Sequence, residues 1–245
     1  MDITSLIDHL ALNGPMLAVG AAAAGLDTPV PGTQWDVRSL VTHVGGIHRW
    51  AADIVATGSG TADTEAGRAV GTGPGDAELL DWFREGHLAL VDTLRSAQPD
   101  LQCFTFLPAE SPLHFWARRQ AHETAIHRAD AQAAAGDVVP FADLFAQDGI
   151  AEILHGFAAR RKARALEAAT TIGLDAVDGP SWLITLGGER IEAVLTEDLV
   201  GADVTIRGLS SDLYLWLWNR PSEVIVDGAD AVAAGWAKTV RVRWS

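Results

Sequence analysis

Hydrophobic positions recur at three- and four-residue intervals through the first two-thirds of the chain, the spacing of amphipathic helices. Residues 3 to 24 follow it, with Asn13-Gly14-Pro15 as the place where a kink is expected. Pro29 to Gly32 reads as a turn, and Asp36 as the N-cap of a helix running to about Ala56. Gly58 to Gly75, rich in Gly, Thr and Ala, predicts a loop, and Asp76 opens a helix to about Ser96. Ser111-Pro112 combines a capping hydroxyl with proline at the first helical position, and Gly136 ends the helix they start. A further helix is expected from about Phe141 to Ala169.

The pattern then changes to short β-branched runs. Ser181 to Leu186 and Ile191 to Leu195 read as strands of a hairpin turning at Gly187-Gly188. Asp203 to Arg207 and Val224 to Val226 are further strands, Ser210 to Asn219 and Ala229 to Lys238 helices, and Thr239 to Ser245 a possible edge strand. The fold class is mostly α with a small α+β part: a helical bundle over residues 1–172, then an α+β domain over 173–245, the boundary falling between Gly173 and Gly179.

Composition narrows the function. With 18 basic and 32 acidic residues the formal net charge is −14, which repels phosphate backbones and anionic lipids, so neither nucleic acid nor membrane is an expected partner. Cys103 is the single cysteine, so an intrachain disulfide and a thiolate metal cage are both excluded and a reducing cytoplasm is the expected location. Its neighbours Phe104 and Phe106 suit a small buried hydrophobe. The N-terminus lacks the basic start of a secretion signal, and no apolar run is expected to reach the length of a bilayer crossing.

The chemistry concentrates in His122-Glu123-Thr124-Ala125-Ile126-His127. The histidines are five apart, so this is not the paired-histidine helix of zinc proteases. The four-residue spacing belongs to Glu123 and His127, which share a helix face about 6 Å apart in rise. A carboxylate and an imidazole so placed bind a divalent cation if a third ligand arrives from elsewhere. On the helix after Asp36, His43 and His48 lie at opposite edges of the stripe Leu40, Val44, Ile47, Ala51, Ile54, and helical geometry nominates both. On the later helix Trp116, Arg119, Glu123, His127 and Asp130 fall on one side, while His122 and Arg128 point away. If that side is buried, an arginine, two carboxylates and a histidine need partners, because leaving them unpaired costs on the order of several kcal/mol. The plainer alternative is a solvated Glu–His ion pair on an alanine-rich helix, with His43 a hydrogen-bonded core residue.

The run Trp35-Asp36-Val37-Arg38-Ser39-Leu40-Val41-Thr42-His43-Val44-Gly45-Gly46-Ile47-His48-Arg49-Trp50 resembles the second-helix signature of the mycothiol-dependent maleylpyruvate isomerase family, part of the wider DinB-like metalloenzyme group. Phe115 to Asp130 is similar to the family's other helix signature, and Asp212 to Arg220, with Gly228 and Trp236, to its small C-terminal domain. The resemblance spans almost the whole chain. It implies an N-terminal DinB-like four-helix bundle holding a divalent metal, usually zinc, on two histidines and one glutamate. By position these are His43, Glu123 and His127, which decides between His43 and His48. It also implies a catalytic arginine at Arg220, a residue that is equally well placed to cap the preceding helix. The departure is at the helix entry, where the family's Pro-Gly-Trp is interrupted here by Thr33-Gln34 between Gly32 and Trp35.

Three protein ligands leave a coordination position open, the arrangement of a catalytic site. A thiol bound there ionises below its free pKa, and the resemblance implies that this thiol is mycothiol. Its addition to an electron-poor double bond, rotation and elimination isomerise cis to trans, whereas expulsion of another group gives thiol S-transfer. Arg220 would hold a substrate carboxylate or a developing enolate. Asp130 is expected to orient His127, Arg119 to neutralise Glu123 or bind an anionic part of the substrate, and Trp116 to line the site. Alternatives from other classes are a non-haem Fe(II) oxygen-using enzyme and a non-catalytic metal- or thiol-binding protein. The substrate and the oligomeric state are not specified by these residues.

Overall fold

The structure is a computed structural model that describes residues 1–161, 169–187 and 190–240. The chain divides into two compact units, Met1–Val139 and Pro140–Ser245. This division falls earlier than the change of pattern near residue 172. The physical reason is that the helix Asp143–Glu152 packs on a later helix, Ser210–Leu217, and Phe141 meets Tyr214 ring to ring at 5.3 Å.

The first unit is built on four long helices: α1 (Ile3–Ala24), α2 (Val37–Thr57), α4 (Asp76–Ser96) and α5 (Pro112–Ala135), with the short α3 (Glu65–Arg68) in the loop between α2 and α4. Helix α1 packs on α5 and α4, and α2 on α4 and α5, closing a four-helix bundle. Its core cluster includes Leu17, Ala21, Val37, Leu40, Val44, Leu79 and Phe83.

Pro15 does not break α1, which runs unbroken through it. Proline removes the N–H that would bond the Ala11 carbonyl. The buried His87 of α4 takes up that carbonyl instead. Gly14 makes the approach possible, since a Cβ there would lie inside the van der Waals envelope of the His87 ring. Helix α1 also corrects the expectation about bilayer-length runs. Its 22 residues are long and apolar enough to cross a membrane by length and composition, although half of that stretch is buried inside the bundle.

Helix α5 departs from the usual amphipathic design. It is buried nearly all round, from Leu113 to Gln132, because α1 and α2 both pack on it. His122 and Arg128, which point away from the Glu123 side, are therefore buried as well. Arg128 donates through Nη1 to Gln132 Oε1 at 3.0 Å and to the Val139 carbonyl at 2.8 Å.

The second unit holds α6 (Asp143–Glu152), continued by a π-helical turn to Phe157 and a 3-10 turn to Arg160. A five-stranded sheet follows in the order β3-β2-β1-β4-β5: β1 (Thr170–Ala176), β2 (Trp182–Leu186), β3 (Glu192–Leu195), β4 (Val204–Gly208), β5 (Ile225–Gly228). Helices α7 (Ser210–Leu217) and α8 (Asp230–Thr239) complete it. Strands β2 and β3 pair antiparallel as the expected hairpin, whose turn residues 188–189 lie outside the described residues. So do residues 162–168 of the helix expected to reach Ala169, and residues 241–245 of the expected C-terminal edge strand.

Strand β1 was not expected. It is the centre of the sheet, parallel to β4 and antiparallel to β2. Ile172, Gly173 and Leu174 are buried in succession, so the two-residue alternation that marks a half-exposed strand is missing.

Candidate metal centre

Two capped helices bring the chemistry together. Asp36 accepts the Ser39 N–H at 2.7 Å and starts α2, fixing where His43 emerges about two turns later. Ser111 accepts the His114 N–H at 3.1 Å and starts α5, with Pro112 in its first turn. Across the α2–α5 contact His43 Nε2 lies 3.3 Å from Glu123 Oε1, and His127 Nε2 lies 3.2 Å from the same oxygen. One ligating atom from each of the three residues lies within 4.8 Å of the others, and all three residues are buried. Both imidazoles thus present Nε2, and the carboxylate one oxygen, to a common point. Two nitrogens and one oxygen at that spacing suit a divalent transition-metal cation.

The surrounding charges fix the remaining atoms. Glu123 Oε2 accepts from Arg119 Nη2 at 3.3 Å, which ties that oxygen to the guanidinium and leaves Oε1 facing the imidazoles. His127 Nδ1 donates to Asp130 Oδ2 at 2.9 Å, so the tautomer that offers Nε2 is held in place. Burial by itself would raise the Glu123 carboxyl, but hydrogen bonds from His127 and His43 and the charges of His127 and Arg119 outweigh it and hold the group well below the usual carboxylate range. Burial likewise opposes charge on His127, but its bonds to Asp130 and Glu123 and their negative charges lift it to about 9. A proton and a cation compete for these lone pairs. Once His127 has given up its proton, one arginine and two carboxylates sum to −1 around the imidazoles, a surplus that a dication offsets.

His48, the other candidate on α2, goes elsewhere. It is fully buried, its Nε2 lies 2.8 Å from Thr124 Oγ1, and its ring packs on Phe83 at 5.4 Å and His87 at 5.3 Å. Burial first, then the neighbouring His87, pushes its pKa well down. Trp116 turns into an aromatic cluster with Trp50, Phe106 and Phe115 and donates through Nε1 to the Phe104 carbonyl at 2.9 Å. Cys103 is half-buried, and its thiol is pushed up by burial against a smaller, opposing hydrogen bond with Trp116. Arg220 belongs to the second unit, where it follows α7 and donates through Nη1 to the Trp218 carbonyl at 3.0 Å.

Trp35 was not expected among the site residues. Its ring centroid lies 4.8 Å from that of His43 and 5.6 Å from that of His127. A signal for it existed. Trp35 precedes the Asp36 cap and packs on the core cluster containing Leu40, the positions of a hydrophobic staple. His43 follows Leu40 by three residues on the same helix face.

Fold and site define a class: a four-helix bundle gathering a buried two-histidine, one-carboxylate set, followed by a small α+β unit. Residues 15–132 match the model of the mycothiol maleylpyruvate isomerase N-terminal domain, and residues 145–235 that of the C-terminal domain of the same family. The chain belongs to the mycothiol-dependent maleylpyruvate isomerase family. Two crystal structures of the mycothiol-dependent maleylpyruvate isomerase share its fold. One is at TM-score 0.62 and 16% identity, the other, a histidine-to-alanine mutant, at 0.63 and 14%, each covering 93% of both chains. No curated protein matches the chain.

Proposed function

We propose that this chain is a cytoplasmic, mycothiol-dependent isomerase that acts on an electron-poor, carboxylate-bearing alkene of the maleylpyruvate type. His43, Glu123 and His127 would hold its divalent cation, taken as Zn2+ from the family resemblance. The observation that carries the proposal is the convergence of both Nε2 atoms on Glu123 Oε1, at 3.3 and 3.2 Å, in a buried site. When bound, the cation supplies Lewis acidity that favours the thiolate form of mycothiol at neutral pH. The chain's own residues do the rest. Asp130 keeps the proton of His127 on Nδ1, and Arg119 holds Glu123 Oε2 so that the carboxylate offers a single oxygen. Three protein ligands leave room in the coordination sphere, as catalytic zinc sites do. Arg220 would bind the substrate carboxylate, a role suited to a planar guanidinium.

The test joins metal analysis to turnover. The purified protein is expected to carry about one Zn2+ per chain and to convert maleylpyruvate to its trans isomer only with mycothiol present. His43→Ala combined with His127→Ala is expected to lose the metal and the activity together. Arg220→Ala is expected to keep the metal and lose turnover. Stoichiometric metal in the double variant would refute the ligand set. A mycothiol conjugate in place of the trans isomer would assign thiol S-transfer instead, and activity requiring iron and O2 would assign an oxygen-using enzyme.

A further inference from the structure

Trp35 sits at the end of a loop pinned by backbone and hydroxyl hydrogen bonds. The Trp35 carbonyl accepts from Val30 N–H at 2.8 Å, and its own N–H donates to Thr33 Oγ1 at 3.1 Å. Thr33 Oγ1 in turn donates to the Val30 carbonyl at 3.0 Å. Pro29 and Asp36 form an isolated antiparallel bridge across the loop, and Gly32, at φ 75°, supplies the left-handed turn. The Thr33-Gln34 insertion is therefore accommodated by a turn that the Thr33 hydroxyl closes. The residue after it, Trp35, is fixed on both flanks: by the loop before it and by the Asp36 cap after it.

The half-buried indole that results has two sets of neighbours. One is the apolar cluster contributed by α1, α2, α4 and α5. The other is His43 and His127, whose own rings stand edge to face at 5.5 Å, so that the three rings form a closed triangle. An imidazole binds a cation only while its nitrogen is aimed correctly, and losing a group outside the donor set that fixes a ligand ring's orientation typically weakens metal binding about 10- to 100-fold. Asp130 fixes His127 through Nδ1, whereas Trp35 offers an aromatic surface to both rings at once.

We propose that Trp35 is a positioning residue of this centre. Its indole locks the His43 and His127 rings in the orientation in which both Nε2 atoms face Glu123 Oε1, and it keeps water from that side of the donor set. The inference rests on the metal-binding reading above. A residue that served only to fill the core would change stability and leave metal affinity alone.

The experiment uses the full-length protein and its Trp35→Phe and Trp35→Ala variants. Zn2+ affinity is measured by competition with a chromogenic chelator, and Co2+ is titrated while tryptophan fluorescence is followed. Trp35→Ala is expected to bind Zn2+ about 10-fold or more weakly, and Trp35→Phe, which keeps an aromatic surface, to remain within about 3-fold of the parent. Co2+ is expected to quench the parent protein, and most of the quenching is expected to vanish in Trp35→Phe because the indole that packs on the two ligand rings is gone. Equal Zn2+ affinity in parent and Trp35→Ala overturns the positioning role, as does undiminished Co2+ quenching in Trp35→Phe, a variant that retains the fold of the loop. If the parent binds neither metal, the metal-binding reading fails and takes this inference with it. If the parent binds and the variants match it, only the role of Trp35 falls.

Discussion

His48 and His87 show what a buried imidazole does when burial outweighs every nearby charge that favours its proton. Their rings lie 5.3 Å apart and both are buried, in contrast to His127 between two acids. Burial lowers His87 to about 4, with the Ala11 carbonyl opposing part of the effect. In the unfolded chain the same group titrates near 6.5. Between those values the unfolded state binds a proton that the native state refuses, so stability falls as pH drops from 6.5 to 4. For His87 the full loss is about 3 kcal/mol, and His48 adds to it in the same direction. Urea midpoints measured from pH 7 to 4.5 should therefore drop steadily. The slope should be shallower in His87→Gln, whose amide can still donate to Ala11 but takes up no proton. An unchanged slope would mean that His87 takes up its proton alike in the folded and unfolded chain, contrary to the lowered value.

At the scale of elements, the bundle depends on small residues where helices come closest. Gly14 of α1 faces the His87 ring, and Gly45 of α2 faces Trp82. Replacing a mid-helix glycine by alanine normally gains up to about 1 kcal/mol from propensity. At Gly14 the added Cβ has no room, since the ring beside it is buried and bonded to Ala11. Overpacking of this kind costs about 1–3 kcal/mol. The steric effect is expected to win, and Gly14→Ala to lower unfolding stability by about 1–2 kcal/mol, measured by chemical denaturation. A stabilised variant would show that His87 moves aside freely. The helix in which Pro15 is tolerated is also the one in which the freed Ala11 carbonyl finds a partner on α4, so a mid-helix proline is here part of the packing.

At the scale of the whole molecule, all three proposed ligands and the groups that orient them lie in Met1–Val139, whereas Arg220 lies in Pro140–Ser245. Metal binding and turnover are therefore expected to separate. A fragment of residues 1–139 should bind Zn2+ with an affinity close to that of the full chain and have no isomerase activity, by chelator competition and product assay. Much weaker binding by a folded fragment would show that the second unit contributes to the metal centre. The division at Val139 keeps α6 with the C-terminal unit. Stable Zn2+ binding by the fragment would also be consistent with α6 playing no part in the donor set.

Much of this protein is legible in the order of its residues. Helical spacing, the Asp36 and Ser111 caps and the Gly136 stop are local features, and the helices they predict begin and end within a residue or two of the expected places. The Glu123–His127 pair is local too, since one turn of helix sets it. Three things needed the folded chain. Helical geometry leaves His43 and His48 both open; the family resemblance names His43, but the physical cause, how α2 is rotated against α5, is a relation between residues eighty apart that exists only in the folded chain. The central strand β1 carries no alternating pattern because it is covered in succession, and only its neighbours β2 and β4 reveal it. The place of Trp35 over two imidazoles arises where a loop, α2 and α5 meet. Periodicity along a chain encodes which face of each helix is buried; which residues of two faces touch is set by packing, and that is fixed only when all the helices are in place.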